Sequence, residues 1–307
     1  YNSTTGIYKE GHHPATDPTV GCSICERPMS EATVTVTPTV TYNGKAQTPA
    51  VTVEYNGETL KNGAEYTVAY SNNKDVGTAT VTVTGVGIYV GAISETFNIE
   101  PANITNYNVT LDPASAVYSG SAIEPNVTVT GEVTGEEGPE AIELVKDTDY
   151  TVSYSDNVDA GTAKVTVTGR GNFAGEISKT FNIQPADITN YNVTLDQGSA
   201  VYTGSAIEPK VTVTREAAGT EGTEVIELVK DTDYTVSYSD NVDAGTATVT
   251  VTGTGNYTGT ATQYFDIVGK DIRGGTATLG ATAYVYNGAF RKPAVTVTVD
   301  GEALTEG

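Results

Sequence analysis

The chain has 307 residues, and its 16 Lys+Arg against 38 Asp+Glu give a formal net charge of −22. Such a charge repels phosphate backbones and anionic bilayers, which argues against nucleic acid or a lipid surface as partner, and no apolar run approaches the roughly 20 residues that a spanning helix needs. Two Cys, two His, one Met and no Trp leave few side chains for thiol, imidazole or metal chemistry.

In chain order, residues 1–30 read as a non-repeat leader. Tyr1 is not a start residue and no apolar h-region follows it, so the numbered sequence is expected to be an interior segment of something longer. The leader carries His12, His13 and Cys22-Ser23-Ile24-Cys25. A local Cys22–Cys25 disulfide, a zinc ion held by both pairs, and free thiols all fit that spacing. No βαβ pattern accompanies the Cys-x-x-Cys, so a thioredoxin-type redox role is not expected.

From residue 31 onward the chain repeats itself, and the repeat decides the fold class. A Tyr-x-Gly triplet with Pro seven residues after the Tyr occurs four times: Tyr42 with Pro49, Tyr118 with Pro125, Tyr202 with Pro209, and Tyr286 with Pro293. Each of the first three copies continues through Tyr-Thr-Val-x-Tyr-Ser, Gly-Thr-Ala and Val-Thr-Val-Thr-Gly to a closing Phe-x-Ile at Phe97, Phe181 or Phe265. The boundaries that follow are 31–100, 101–184, 185–268 and a partial fourth copy, 269–307. The fourth copy is expected to be cut short within a repeat; the alternative is completion by strands of another molecule, giving a self-assembling fibre.

Within each copy the large apolar residues fall at every second position: Tyr150, Val152 and Tyr154 share one face, as do Val165 and Val167. Thr and Val dominate because β-branched side chains suit a pleated, half-buried surface. The expected fold is all-β: tandem small antiparallel immunoglobulin-like β-sandwiches in an extended array. The copies differ at one hairpin. Val53 to Tyr66 is 13 residues, whereas Val129 to Tyr150 and Val213 to Tyr234 are 21. The added segments, 131–138 and 215–222, read either as solvated tips or as recognition loops offering Glu132, Glu136, Glu137, Arg215, Glu216 and Glu221 to a host protein or glycan.

The runs Tyr-Asn-Gly-Lys-Ala-Gln-Thr-Pro from Tyr42, Asp-Tyr-Thr-Val-Ser-Tyr-Ser-Asp-Asn from Asp149, and Gly-Thr-Ala-x-Val-Thr-Val-Thr-Gly from Gly161 resemble the tandem immunoglobulin-like repeats of secreted and wall-attached proteins of Gram-positive bacteria. The resemblance covers about residues 31–307. It implies an extracellular stalk or adhesin array at a bacterial surface and leaves the ligand open.

Candidate chemistry is sparse. The loop Gly169-Arg170-Gly171-Asn172-Phe173-Ala174-Gly175 is one residue too long for a dinucleotide fingerprint, and a strand follows it where a helix would be needed. Asp147, Asp149, Asp156 and Asp159, repeated as Asp231, Asp233, Asp240 and Asp243, supply enough hard oxygens for calcium if their loops converge; otherwise they are ordinary turn residues. No paired nucleophile and base recurs, so no enzyme is expected. No cofactor is expected beyond calcium at these aspartates or zinc in the leader.

Overall fold

The computed structural model describes residues 26–135, 138–219 and 222–304. Each of the first three repeats is a two-sheet, immunoglobulin-like unit. In repeat 1, Thr33–Val36, Val51–Tyr55 and Glu58–Thr59 make a three-stranded antiparallel sheet. Thr39–Thr41, Ala92–Glu100, Gly77–Gly85 and Tyr66–Ser71 make a four-stranded one, in that spatial order. Pro38 separates the first strand of each sheet. Its ring nitrogen has no hydrogen to give, which ends one ladder, while its carbonyl accepts from the Asn98 N–H at 2.8 Å to start the next. The strands so joined are not all antiparallel: Thr39–Thr41 runs parallel to Ala92–Glu100, as Ser199–Val201 does to Thr260–Val268.

Repeat 2 pairs Asn108–Asp112, Asn126–Gly135 and Gly138–Glu143 in one sheet, and repeat 3 does so with Asn192–Leu195, Val211–Gly219 and Gly222–Glu227. Their four-stranded sheets end on Tyr150–Ser155 and Tyr234–Ser239, edge strands with one neighbour each. Burial follows the alternation. Val165 and Val167 are fully buried, as are Val249 and Val251, while the threonine between each pair stays partly exposed. A short parallel ladder opens each of the first three repeats: Ala102–Asn103 lies beside Phe173–Ala174, and Ala186–Asp187 beside Tyr257–Thr258. In repeat 1 this ladder is Arg27–Pro28 beside Tyr89–Val90, with Met29 fully buried behind it. The first repeat thus takes in four residues that its repeat pattern assigns to the leader, because Met29 fills the place of Ile104 and Ile188.

By contacts the chain divides into two units: repeats 1 and 2 through Ile183 without residues 117–119, and residues 117–119 with everything from Gln184. In the first unit, Met29, Val53, Tyr55, Leu60, Tyr66, Val83 and Tyr89 form one end of the repeat 1 core, and Ala79, Phe97 and Ile99 the other. The second unit is centred on Ile188, Val213, Leu228, Tyr234, Val249, Tyr257 and Phe265. Residues 269–304 contribute the sheet Thr276–Leu279, Val295–Val299 and Glu302–Ala303. Val285, Tyr286 and Phe290 there are 87%, 91% and 103% exposed, in contrast to the half-buried Tyr42, Tyr118 and Tyr202.

Candidate functional site

The aspartates are not gathered into one place. Asp147 and Asp149 precede the strand Tyr150–Ser155, and Asp156 and Asp159 follow it. At roughly 3.3 Å per residue, seven positions separate Asp149 from Asp156 by roughly 23 Å, far beyond any shared ion. Among the described residues, no group of three or more His, Cys, Asp or Glu is placed to hold a metal ion. Two of these aspartates hold backbone groups and four others occupy turn positions. A carboxylate oxygen of Asp149 accepts from the Val145 N–H at 2.8 Å, and Asp233 does the same for Val229 at 2.8 Å. Asp147, Asp156, Asp231 and Asp240 take φ of 66°, 55°, 64° and 56°, the left-handed region that Asp tolerates in turns. Asp159 and Asp243 are exposed.

Of the hairpin residues, Glu132 lines a 200 Å³ cleft with Thr41, Tyr42, Asn43, Asn103 and Tyr107. Arg215 donates from Nη2 to the Ser119 carbonyl at 2.6 Å, and Glu216 is exposed. Glu136, Glu137 and Glu221 lie outside the described residues, as do His12, His13, Cys22 and Cys25.

The most developed arrangement of side chains is aromatic. Within the first unit, Tyr42 of repeat 1 stands edge-on to Phe173 of repeat 2, with ring centroids 5.5 Å apart and planes at 82°. Tyr107 approaches the same ring at 5.4 Å and 89°. Asn172, beside Phe173, completes the contact. Its Oδ1 accepts from the Val76 N–H at 2.8 Å, and its Nδ2 donates to Asp75 Oδ1 at 3.0 Å. Within the second unit the same ring set recurs: Tyr118 to Tyr257 at 5.5 Å and 80°, Tyr191 to Tyr257 at 5.8 Å and 73°. Burial pushes up the phenols of Tyr42, Tyr107, Tyr191 and Tyr257. Tyr257 is raised to about 12 by desolvation first, with Tyr118, Asp233 and Tyr191 adding to it and Arg215 opposing. Tyr42 is raised by burial and then by Asp75 and Asp149, against a hydrogen bond from Asn172. These hydroxyls stay protonated at neutral pH and serve as packing and hydrogen-bonding groups.

In the sequence the Tyr-x-Gly tyrosine stands only as a marker of the repeat, and this contact is not foreseen. The signal that could have found it is the contrast with its neighbour, which is Asn43, Ser119, Thr203 or Asn287 while the tyrosine never changes. Asn172 and Asn256 carry a similar signal, standing where repeat 1 has Ile88.

A second surface is a 650 Å³ groove in repeat 3 beside the free edge of Tyr234–Ser239, bordered by Asp196, Glu208, Lys210, Glu227, Lys230 and Tyr238. Its tyrosines are committed inward: Tyr234 donates to the Val211 carbonyl at 3.2 Å and Tyr238 to the Pro209 carbonyl at 2.6 Å. Asp196 accepts from the Lys210 N–H at 2.8 Å. The groove thus sets an edge strand available for backbone pairing beside two lysines and three carboxylates.

No family model matches the chain, and no curated protein matches it. Among solved structures it aligns with the protocadherin gammaB7 EC3-6 cis-dimer at 11% identity, covering 84% of this chain and 81% of that one, with a TM-score of 0.22. The immunoglobulin-like assignment rests on the paired sheets of each repeat. Among the described residues, no helix is long and apolar enough to cross a membrane, which says nothing of a β-barrel.

Proposed function

We propose that the chain is an extracellular structural segment of a bacterial surface protein, a stalk or adhesin array that holds a functional head away from the cell. One observation carries this reading: what recurs from copy to copy is core and junction. The ring set Tyr42–Phe173–Tyr107 is rebuilt as Tyr118–Tyr257–Tyr191, while the hydroxyls of the repeat 3 groove are spent on backbone carbonyls. A segment selected for junctions is a spacer, and a net charge of −22 keeps such a spacer soluble and clear of anionic surfaces. The reading is non-catalytic.

The test is to display the chain between a cell-surface anchor and a reporter head. Reach of the head beyond the surface is expected to shorten with each repeat removed and to survive replacement of the repeats by unrelated domains of equal length. Binding of host protein or glycan by the chain alone, abolished by shortening the hairpins at 131–138 and 215–222, would replace the stalk with a recognition module.

A further inference from the structure

We propose that the long hairpins of repeats 2 and 3 are braces that face backward, their partner being the Tyr-x-Gly loop of the preceding repeat, and that they work as one device with the linker tyrosine (Tyr107 or Tyr191) and the loop asparagine (Asn172 or Asn256). The hairpin of repeat 2 supplies Glu140, whose Oε2 lies 3.4 Å from Lys45 Nζ, three residues beyond Tyr42. It also supplies Glu132, which borders the cleft with Tyr42 and Asn43. Between these contacts Gly131 lies against the ring of Tyr107; a Cβ there would come within 2.3 Å of it. The glycine lets the strand pass over the tyrosine that touches Phe173. In the second unit the counterpart of Gly131 is Arg215, which reaches the carbonyl of Ser119, next to Tyr118, at 2.6 Å. The two hairpins thus reach the equivalent loop through different residues, Glu132 and Glu140 in repeat 2 and Arg215 in repeat 3.

Repeats 1 and 4 show what the position does without the device. Where repeats 2 and 3 have Tyr107 and Tyr191, repeat 1 has Ala32 and the fourth copy Gly275. Where repeats 2 and 3 have a long hairpin, these two have two-residue turns, Asn56-Gly57 at φ 50° and 83° and Asp300-Gly301 at φ 53° and 86°. Across the strand pair from the small residue stand Tyr55 in repeat 1, in the same core cluster as Ala32, and Val299 in the fourth copy, whose Cγ2 would sit 2.8 Å from a Cβ on Gly275. Repeat 1 further has Ile88 in place of Asn172, and Arg27 stacks over Tyr89 with its guanidinium carbon 5.5 Å from the ring centre. Linker tyrosine, long hairpin and loop asparagine occur together in repeats 2 and 3; tyrosine and long hairpin are missing together from repeats 1 and 4. A recognition loop would have no reason to depend on the linker residue beneath it. A brace would. This inference stands apart from the stalk reading, since a braced junction is compatible with a binding module as well.

The test uses the full chain with Cys22→Ser and Cys25→Ser, spin-labelled at Thr96→Cys and Thr180→Cys, both exposed. A single narrow distance distribution between repeats 1 and 2 is expected. Giving repeat 2 the paired residues of repeat 1, with Tyr107→Ala and the segment 131–142 replaced by Tyr-Asn-Gly-Glu, is expected to lose that narrow peak and leave a broad one. Asn172→Ile and Lys45→Glu, which leave both cores intact, are each expected to broaden it part of the way, and they carry the test should the exchanged repeat fail to fold. An unchanged narrow peak in these variants would overturn the proposal. So would loss of host-surface binding by the exchanged chain with its peak unchanged, which would return the hairpin to outward recognition.

Discussion

Tyr42 and Phe173 lie 131 positions apart in the chain and meet edge to face across a repeat boundary, their centroids 5.5 Å apart. Phe173 is 4% exposed and therefore belongs to the repeat 2 core as well as to the junction. Phe173→Ala is expected to cost about 3–5 kcal/mol in the unfolding of repeat 2, as a large core truncation does. In a double-mutant cycle with Tyr42→Ala, the coupling is expected at about 0.5–1.5 kcal/mol, the range of an edge-to-face pair. Urea unfolding followed by repeat-specific probes measures both, and additive effects would show that the two rings do not communicate.

Gly169 and Gly253 are held by close approach. A Cβ on either would come within 2.7 Å of the backbone nitrogen of Ala174 or Thr258. Neither position has a positive φ, so the constraint is steric and falls on rigid backbone. Gly253→Ala is expected to destabilise repeat 3 by roughly 1–3 kcal/mol, the cost of overpacking. Gly198→Ala meets nothing within 4 Å and is expected to be close to neutral or slightly stabilising. Melting temperatures of the two variants give the comparison directly.

Calcium is expected to leave the protein unmoved. With Asp149 and Asp156 at opposite ends of one strand, millimolar calcium should not shift the melting temperature. Asp149→Ala should lower it through loss of the Val145 N–H bond, which costs about 1 kcal/mol of stability on the scale of a lost cap. A calcium-dependent rise in melting temperature that Asp149→Ala removes would show a site that the strand geometry denies.

Alkaline pH should weaken the second unit. The phenol of Tyr257, raised from 10.0 to about 12, keeps its proton in the folded chain at pH values where the unfolded chain gives it up. The folded state binds more protons in that window, so stability falls as pH rises. The contribution is fully present below pH 10 and is lost as pH climbs through 12. Tyr257→Phe should flatten that decline, since a phenyl ring has no proton to lose. Thermal melts between pH 8 and pH 12 give the readout.

The sequence by itself determined the repeat and which face of the strands in the first three copies is buried. It could do so because a pleated strand puts every second side chain on one face, and three internal copies separate variable positions such as Lys164, Thr80 and Thr248 from fixed valines. It also showed the hairpin difference as a bare count of residues. It could not say which way the hairpins face, or that Tyr42, Asn172 and Asp75 meet, because those contacts join residues about 100 or more positions apart and arise only when one folded repeat is set against another. The Asp147 and Asp159 loops are a case of the opposite kind. Close in sequence, they looked able to share an ion, yet the six-residue strand between them is extended and holds its two ends apart. Local pattern fixes what a strand buries; only the tertiary structure decides what its ends touch.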